Sequence, residues 1–504
     1  MMRERHVALI ALLGASLSGC AADTLPLQGE IEATGGSGSV SSTDTPGSDT
    51  TGGGATAPTS GLLNVHEIAG TGVWGGDAAF VGDLDHDGFA DLAILDHTVR
   101  PPLLLPSLGA YGAVYGFYGR ARFPAQIDTT AADFVLLGAT TGIGALGDVD
   151  GDGFDDFGFV SNCAVACDST TGVHIVFGGA ERLAGVHLSN TVGITWQVPS
   201  GWSPVSAQGA GDVNGDGLPD IVIDTNWPQT ALLFGRTDRD ELAHAMPDAT
   251  FDMDPNGLAP GVGSIGAGDL DGDGYGDLLV PSGYPPGYPT SSGNFLSPAT
   301  LLYYGGAERF HGSLTTADAD AAFTFASRSQ KPAHDLDGDG YDDLELPAFA
   351  TPSQDASIRV FYGQSSRFSG SIQQGDAPFT LTMSDPSLNG AGVHGTGTGD
   401  IDGDGYVDLV STYVAGTDGQ VPQPGALALL RGTPSRQVGA HAYDASDVIL
   451  SGEDVGPDGF GFGTGVTTGD FNGDGIDDVV VTSNGQDLTA TGHGYAFLIF
   501  DSRR

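Results

Sequence analysis

The amino-acid sequence predicts a closed, seven-bladed β-propeller with four-stranded blades. Three observations support this prediction. A nine-residue acidic motif recurs seven times, short strand-forming runs flank the copies, and the two ends of the chain each carry part of one blade. A unit of several tens of residues that is repeated with strand-forming runs is typical of propellers. The 82 glycines among 504 residues fit many tight turns between short strands.

The acidic motif has the form Asp-x-[Asp/Asn]-x-Asp-Gly-x-x-Asp, and we number its positions 1 to 9. The copies, called loops 1 to 7 below, begin at Asp83, Asp148, Asp212, Asp269, Asp335, Asp400 and Asp470. Successive copies start 57 to 70 residues apart. Such a spacing, held over seven copies, indicates one repeated structural unit.

Each unit contains four candidate strands. A glycine-rich run leads into the loop, an apolar run directly follows it, a third run ends near a glycine, and a fourth lies before the next loop. Examples of the run after the loop are 92–95, 221–223, 278–280 and 479–481. Examples of the third run are 114–118, 174–177, 301–304 and 359–362, and examples of the fourth are 134–137 and 379–383.

The chain ends predict how the ring closes. Only two candidate strands, 479–482 and 495–500, follow loop 7, and an extra strand at 62–68 precedes loop 1. Pairing of the first and last segments would complete one blade and remove the exposed edges of an open array. A linear rod of repeats, the alternative, gives no reason for this complementary truncation. Residues 62–504 are therefore predicted to form one domain.

The loops are candidate metal sites. Side-chain oxygens at positions 1, 3, 5 and 9 and the backbone carbonyl at position 7 can surround a hard cation, while the glycine at position 6 permits the sharp turn. Because all side-chain ligands are oxygens, calcium fits better than zinc or copper, and we predict up to seven calcium ions. The predicted ligands are Asp83, Asp85, Asp87, Phe89 and Asp91; Asp148, Asp150, Asp152, Phe154 and Asp156; Asp212, Asn214, Asp216, Leu218 and Asp220; Asp269, Asp271, Asp273, Tyr275 and Asp277; Asp335, Asp337, Asp339, Tyr341 and Asp343; Asp400, Asp402, Asp404, Tyr406 and Asp408; and Asp470, Asn472, Asp474, Ile476 and Asp478.

Calcium has two alternatives. Magnesium usually keeps several of its waters, and solvated acidic turns would bind no ion at all. Such turns would also exchange Asp for Glu, Ser or Thr, whereas Asn214 and Asn472 are the two exceptions to Asp at positions 1, 3, 5 and 9. Saturation of seven sites at a hundred times Kd would contribute roughly 19 kcal/mol, above the ~5–15 kcal/mol net stability of a domain. We therefore predict that calcium is part of the fold. His86 at position 4 and His334 before loop 5 replace glycines of the other copies.

These loops differ from an EF-hand, which needs a glutamate at position 12. With Asp at position 9 between two strands, they resemble the FG-GAP/VCBS repeat, and seven copies resemble the N-terminal propeller of integrin α subunits and its bacterial relatives. The resemblance extends over 62–504, and the FG-GAP lead-in is clearest at 460–463. It implies that the face opposite the loops recognises a ligand, as an adhesion module for a protein or glycan.

The first residues indicate secretion. Residues 1–19 combine Arg3 and Arg5 with an apolar run, which is typical of a signal peptide, and 17–20 resemble the bacterial lipobox, in which the cysteine, here Cys20, is lipidated. An ordinary signal peptide cleaved near Ala21 is the alternative. Residues 20–61, rich in Gly, Ser and Thr, are predicted to form a flexible tether. We expect a lipid-anchored envelope protein at the outer membrane, with the surface or periplasmic side left open.

Composition restricts the partners. A formal net charge of −47 argues against nucleic-acid binding, and we expect a monomer that meets the membrane only through its anchor. No standard catalytic constellation is present: His66 and Glu67 lack the second histidine of a zinc protease, and Lys331 is the sole lysine. The sequence thus favours a binding module over an enzyme. A propeller hydrolase or lyase, with catalytic residues converging from distant blades, is the alternative.

Three further groups of residues have two interpretations each. Tyr284, Tyr288, Phe295 and Trp227 are either partner contacts or packed on their own blades. Cys163 and Cys167 form either a local disulfide or a free pair. An arginine also follows the third strand of six units, either as a turn residue that offsets acidic neighbours or as a phosphate or glycan site: Arg122, Arg182, Arg239, Arg309, Arg367 and Arg436.

Overall fold

The computed structural model describes residues 63–69, 74–96, 112–123, 127–162, 171–199, 201–225, 229–252, 259–260, 263–283, 299–325, 334–348, 357–383, 392–414, 425–443, 448–452, 462–483 and 495–501. All of them belong to one compact unit, Ala57–Arg504. The predicted signal peptide and tether lie outside these residues, as do Cys20, Cys163, Cys167, Trp227, Tyr284, Tyr288 and Phe295.

The described residues are mostly in β-strands. In chain order the first strands are β1 (Leu63–Ala69), β2 (Trp74–Phe80), β3 (Leu92–Asp96), β4 (Gly112–Phe117), β5 (Ile127–Asp128), β6 (Phe134–Ala139), β7 (Thr141–Gly147), β8 (Asp156–Asn162), β9 (Thr171–Val176), β10 (Gly185–Leu188) and β11 (Ile194–Gln197). The middle strands are β12 (Pro204–Gly211), β13 (Asp220–Thr225), β14 (Thr230–Leu233), β15 (Ala249–Phe251), β16 (Ala259–Pro260), β17 (Ile265–Gly268), β18 (Asp277–Gly283), β19 (Ala299–Tyr303), β20 (Gly312–Leu314), β21 (Ala321–Phe323) and β22 (Leu344–Ala348). The last are β23 (Ser357–Phe361), β24 (Gly370–Ile372), β25 (Phe379–Met383), β26 (Gly392–Gly399), β27 (Asp408–Val414), β28 (Ala426–Leu430), β29 (Gly439–Tyr443), β30 (Val448–Ser451), β31 (Phe462–Gly469), β32 (Asp478–Ser483) and β33 (Tyr495–Asp501).

Helices are short. One α-helix, α1 (Arg239–His244), is found in the described part, together with 3-10 turns at Thr129–Ala131, Ser189–Thr191, Thr316–Asp318 and Gln374–Asp376. The side chain of Asp238 caps α1 by accepting the N–H groups of Asp240 and Glu241. Within the described residues no helix has the length and apolar character needed to span a bilayer.

The strands form seven sheets, which confirms the predicted seven-bladed propeller. Blades 1 to 4 are β2-β3-β4-β6, β7-β8-β9-β11, β12-β13-β14-β15 and β17-β18-β19-β21, with β16 also paired to β18. Blades 5 and 6 are β22-β23-β25 and β26-β27-β28-β30. Loops 1 to 4, 6 and 7 each precede the second strand of their blade, as the sequence predicts, and loop 5 precedes β22, the first described strand of blade 5.

Blade 7 closes the ring as predicted. It contains β31, β32 and β33 from the end of the chain and β1 from its beginning. β1 and β33 are antiparallel over their whole length, with Leu63 opposite Asp501 and Ala69 opposite Tyr495. The outer edge of the last blade is therefore covered by the first strand of the domain.

A further strand on the outer edge of five blades was not predicted. In each case the connection between the third and fourth strands of one blade reaches back and pairs in parallel with the outermost strand of the preceding blade. The pairs are β5 on β1, β10 on β6, β20 on β15, β24 on β21 and β29 on β25. Beside β11, helix α1 takes this place, and Trp196 Nε1 donates to the carbonyl oxygen of Ala245 at 2.9 Å.

The hydrophobic core lies between neighbouring blades. One cluster joins Phe80 and Leu92 of blade 1 to Phe471 and Leu498 of blade 7, and each of the others likewise contains residues of two adjacent blades. Because a blade is covered on both faces, its second strand is apolar on both, as in β3 and β13, which are buried throughout. This packing explains why the apolar runs after the loops are continuous instead of alternating.

Candidate metal loops

All seven loops have the same backbone shape. The glycine at position 6 has a φ between 83° and 93° in every copy, which is a conformation that L-residues rarely adopt. Position 4 also has a positive φ, and there His86 of loop 1 is the exception to glycine, with φ 58°. Loop 1 thus adopts the common shape despite this substitution.

The side chains at positions 1 and 5 hold the loop together. In all seven copies the position 1 carboxylate accepts the N–H groups of positions 5 and 6, as Asp148 does from Asp152 and Gly153 at 2.9 Å. One oxygen of the position 5 carboxylate accepts the N–H of position 7 at 3.0–3.1 Å. The loop backbone therefore gathers the carboxylates on its inner side.

The aspartate at position 9 is deeply buried in every loop. Its carboxylate is at most 1% exposed in every copy. One oxygen accepts the N–H of position 2, and in loops 1 to 6 the other accepts the N–H of a glycine just after the third strand. In loop 7 the side-chain amide of Asn472 replaces that glycine as the donor to Asp478.

Burial raises the pKa of these position 9 carboxyls, and the other carboxylates of the loop raise it further, while the N–H groups lower it. The pKa is about 6 for Asp408, about 7 for Asp91, Asp220 and Asp343, and about 8 for Asp156, Asp277 and Asp478. The loops therefore concentrate negative charge around a buried carboxyl group.

Carboxylate oxygens converge in five loops. In loops 1 and 2, oxygens of positions 1, 3 and 9 lie within 4.8 Å of one another, and in loops 4, 5 and 6 those of positions 1, 3 and 5 do so. Loops 3 and 7 have asparagine at position 3, so they offer an amide oxygen in place of one carboxylate. The structure thus brings together the side chains that the sequence selected.

One oxygen in loop 5 has no hydrogen-bond partner among the described residues. Asp337 Oδ1 is buried and accepts no hydrogen bond from them, although Asp337 Oδ2 accepts one from Arg436. A buried polar atom that lacks a partner costs about 1–3 kcal/mol, and more if it is charged. A cation held by loop 5 would remove this cost, so the donor set fits a hard metal ion.

Neighbouring loops are hydrogen-bonded to each other. The N–H of position 8 donates to the carbonyl oxygen of position 1 in the preceding loop, and the five such bonds join Asp155 to Asp83, Gly276 to Asp212, Asp342 to Asp269, Asp477 to Asp400 and Ala90 to Asp470. Where position 8 is aspartate, its carboxylate accepts the N–H of that same position 1 residue, at 2.8 or 2.9 Å. Sequence reasoning missed this role, although the repeated Asp-Asp at positions 8 and 9 signalled it.

Side chains at position 7 pack on the preceding loop. The ring of Phe89 lies against Gly473, Tyr275 against Gly215, and Tyr341 against Gly272, where a Cβ atom would approach the ring to 2.2–2.6 Å. In loop 1, where position 4 is histidine, the His86 and Phe154 rings meet edge to face at 6.0 Å. From the sequence, only the backbone carbonyl of position 7 was expected to contribute to the loops.

Four of the repeated arginines bind the loop of the preceding blade. Arg182, Arg239, Arg367 and Arg436 each form ion pairs with the carboxylates at positions 3 and 5 of loops 1, 2, 4 and 5, respectively. Each guanidinium also lies over an aromatic ring of that preceding blade, 4.1–4.8 Å from the centres of Tyr118, Phe177, Tyr304 and Tyr362. For these four, the prediction that the arginine offsets acidic neighbours is confirmed.

The remaining arginines differ. Arg309 pairs with Asp320 of its own blade at 2.9 Å, and Arg122 is exposed and forms no ion pair with loop 7 in the described part of the chain. Both would face loops with asparagine at position 3, since Asn214 and Asn472 lie in the preceding blades. Loop 6 is bound by Arg431 of the same blade, which pairs with Asp402.

A serine and a histidine meet in blade 2, away from the loops. Ser161 Oγ lies 2.6 Å from His174 Nε2, and Thr195 Oγ1 lies 3.0 Å from Nδ1. Ser161 and His174 are both buried, and burial lowers the pKa of His174 to about 4. The hydroxyl group of Thr195 occupies the position that a carboxylate takes in a catalytic triad.

Comparison with known proteins identifies one repeat directly. Residues 462–499, which contain β31, loop 7, β32 and most of β33, match the family model of the FG-GAP repeat. No curated protein matches the chain. Similar solved structures include BBS1N in complex with ARL6DN, soaked with mercury (9% identity, 86% of this chain and 98% of that chain covered, TM-score 0.37). The lead-soaked form of that complex has the same identity and coverage with a TM-score of 0.38. The fold assignment rests on the blades themselves and on the matched repeat: this chain is a seven-bladed β-propeller that carries an FG-GAP repeat in its closing blade.

Proposed function

We propose that this protein is a calcium-stabilised binding module of the bacterial cell envelope, attached to the membrane through Cys20, and that its propeller binds a protein or glycan. Positions 1, 3, 5 and 9 of each loop would hold the ion together with the carbonyl of position 7. The ion would act as a structural cross-link, since it neutralises carboxylates that otherwise repel one another.

The observation that supports the calcium assignment most directly is the buried Asp337 Oδ1, which has no hydrogen-bond partner in the described part of the chain and lies in a group of converging carboxylates. Hydrogen bonds within the loop leave this oxygen unsatisfied, whereas a cation would satisfy it. The repetition of one donor set in seven loops supports the same assignment.

The test is thermal unfolding of the purified protein in EGTA and in calcium, with Asp337→Asn as the variant. Asparagine occurs naturally at position 3 of loops 3 and 7, so the loop shape should persist. We expect calcium to raise the wild-type unfolding midpoint and to raise that of Asp337→Asn by less. Asp240→Asn, an exposed residue of α1, is the control and should respond to calcium like the wild type. Equal wild-type midpoints in EGTA and calcium would refute the assignment.

The adhesive role is supported by the resemblance to integrin-like propellers and by the aromatic residues predicted as contacts. We propose that Tyr284 and Tyr288 contribute to that surface. Binding of the full chain to a glycan panel and to envelope proteins, with and without calcium, would measure it. Replacement of both tyrosines by alanine should reduce binding and leave the unfolding midpoint unchanged. Unchanged binding would remove these residues from the proposal, and turnover of a bound glycan would instead support the hydrolase or lyase alternative.

A further inference from the structure

In loops 1, 2, 4 and 5 an arginine of the next blade bridges the carboxylates at positions 3 and 5, which are two of the candidate metal ligands. In loop 4, Asp271 Oδ1 and Asp273 Oδ1 accept N–H groups of the loop at 3.3 and 3.1 Å. Their other oxygens, Asp271 Oδ2 and Asp273 Oδ2, both accept from Arg367, the latter at 2.6 Å. One guanidinium from the next blade therefore ties together the two carboxylates that would otherwise repel each other most directly.

Loop 3 reaches the same result without an arginine. There the side-chain amide of Asn214 donates to Asp216 Oδ2 at 3.1 Å, the oxygen that the arginine binds in loops 1, 2, 4 and 5. Arg309, which follows the third strand in the same way as Arg367, turns away to Asp320. Among the described residues, an arginine of the next blade thus bridges positions 3 and 5 in loops 1, 2, 4 and 5, where position 3 is aspartate, but not in loop 3, where it is asparagine. In loop 6, Arg431 of the same blade pairs with Asp402 at position 3.

With its arginine included, each bridged loop has the same formal charge as a loop with asparagine at position 3. Four aspartates and one arginine in loops 1, 2, 4 and 5 carry the same formal charge as the three aspartates of loop 3 or loop 7. Each of these four loops therefore has one more carboxylate than loop 3 or loop 7, and one guanidinium that offsets it. The pairing links a loop of one blade to a turn of the next, so it also contributes to the contact between blades.

We propose that Arg182, Arg239, Arg367 and Arg436 are built-in counter-cations that stabilise the ion-free loops of the preceding blade and lower the affinity of those loops for calcium. This proposal rests on the proposed calcium binding, and it adds that the arginines regulate the calcium affinity of four loops. A positive charge held beside two ligand carboxylates repels an incoming divalent ion, and it stabilises the loop when no ion is bound. Calcium binding and the docking of one blade against the next are thereby coupled at four of the seven interfaces.

The experiment compares Arg367→Gln with Arg309→Gln in the full chain. Arg367→Gln loses the ion pairs with Asp271 and Asp273 of loop 4, whereas Arg309→Gln loses one pair, with Asp320, outside the loops. Terbium titration, sensitised by Tyr341, whose ring packs on Gly272 of loop 4, and corrected with Tyr341→Phe, reports on loop 4. Calorimetry with calcium measures total binding. We expect Arg367→Gln to tighten metal binding at loop 4 by about tenfold and to enlarge the difference between the EGTA and calcium midpoints. Arg309→Gln should lower both midpoints equally.

Arg367→Lys separates charge from shape. Lysine keeps the positive charge without the planar fork, so its metal affinity should lie near that of the wild type. Weaker or unchanged metal binding in Arg367→Gln, alongside calcium binding by the wild type, would overturn the counter-cation proposal and leave the proposed function intact. No calcium binding by the wild type would overturn both.

Discussion

The backbone N–H of Ala90 donates to the carbonyl oxygen of Asp470 at 2.9 Å. Ala90 lies in loop 1 and Asp470 in loop 7, so this bond joins the first and last acidic loops of the chain. The same bond recurs between loops in the interior of the repeat array, as between Gly276 and Asp212. Closure of the ring therefore uses the contact that joins consecutive blades elsewhere.

Replacing Ala90 by proline should remove this bond with little local strain, since Pro219 occupies position 8 of loop 3 naturally. The expected loss is about 1 kcal/mol in the free energy of unfolding, measured by denaturant titration in calcium. Val407 is the control because no such bond joins it to Asp335 within the described residues. A loss of stability in Val407→Pro as large as that in Ala90→Pro would show that local strain from the proline residue, and not the missing hydrogen bond, is responsible.

The packing between loops can be isolated at two glycines of nearly equal φ. Gly473 has φ 72° and faces the ring of Phe89, whereas Gly338 has φ 73° and no atom within 4 Å of the position that a methyl group would take. Alanine at either site should cost about 1 kcal/mol for the left-handed conformation. Gly473→Ala should cost about 1–3 kcal/mol more, because the methyl group overlaps the ring. Equal losses in denaturant titrations would argue against tight packing between loops 7 and 1.

The carboxylate of Asp155 should act as a hydrogen-bond acceptor and not as a charge. Its Oδ2 accepts the N–H of Asp83 at 2.8 Å, and burial raises its pKa. Asp155→Asn keeps an acceptor oxygen and should change stability little, whereas Asp155→Ala should lose about 1–2 kcal/mol by leaving the N–H unpaired. Unfolding midpoints of the two variants would test this, and a large loss in both would point to the charge instead.

His174 predicts a dependence of stability on pH. Burial lowers its pKa to about 4 in the folded protein, against an unfolded value near 6.5, so the unfolded chain binds the extra proton between these values. The stability that this causes is fully present above pH 6.5 and is lost as the pH falls to about 4. The wild type should therefore lose about 3 kcal/mol more than His174→Gln across this range. Parallel pH profiles of the two proteins in denaturant titrations would contradict the prediction.

The acidic motif and the apolar runs predicted the blades because both are local. Gly88 and its counterparts are required wherever the chain turns with positive φ, and runs such as 92–95 are apolar because each blade is covered on both faces. The sequence also predicted that blade 7 is shared between the two chain ends, because one extra strand precedes loop 1 and only two strands follow loop 7. The candidate metal ligands followed from the same spacing, and in five loops the oxygens of three of these carboxylates converge.

Contacts between repeats were harder to predict from the sequence. Arg182 and Asp85 form an ion pair although a whole repeat and more separates them along the chain. Nothing in that separation says which arginine turns toward a loop and which, like Arg309, turns back to its own blade. The parallel outer strands, such as β10 on β6, are short and lack a regular pattern. Their pairing depends on the edge that the preceding blade presents.

The sequence by itself determined the repeated unit, the number of units and the oxygen donors of each loop, because turn geometry and strand burial act within a few residues. Only the tertiary structure decided how the loops share their charge. It placed the guanidinium of one blade between two carboxylates of another, since the curvature of the ring sets which turn lies over which loop. The physical reason is that electrostatic pairing depends on distance in space, which the order of residues along the chain does not specify.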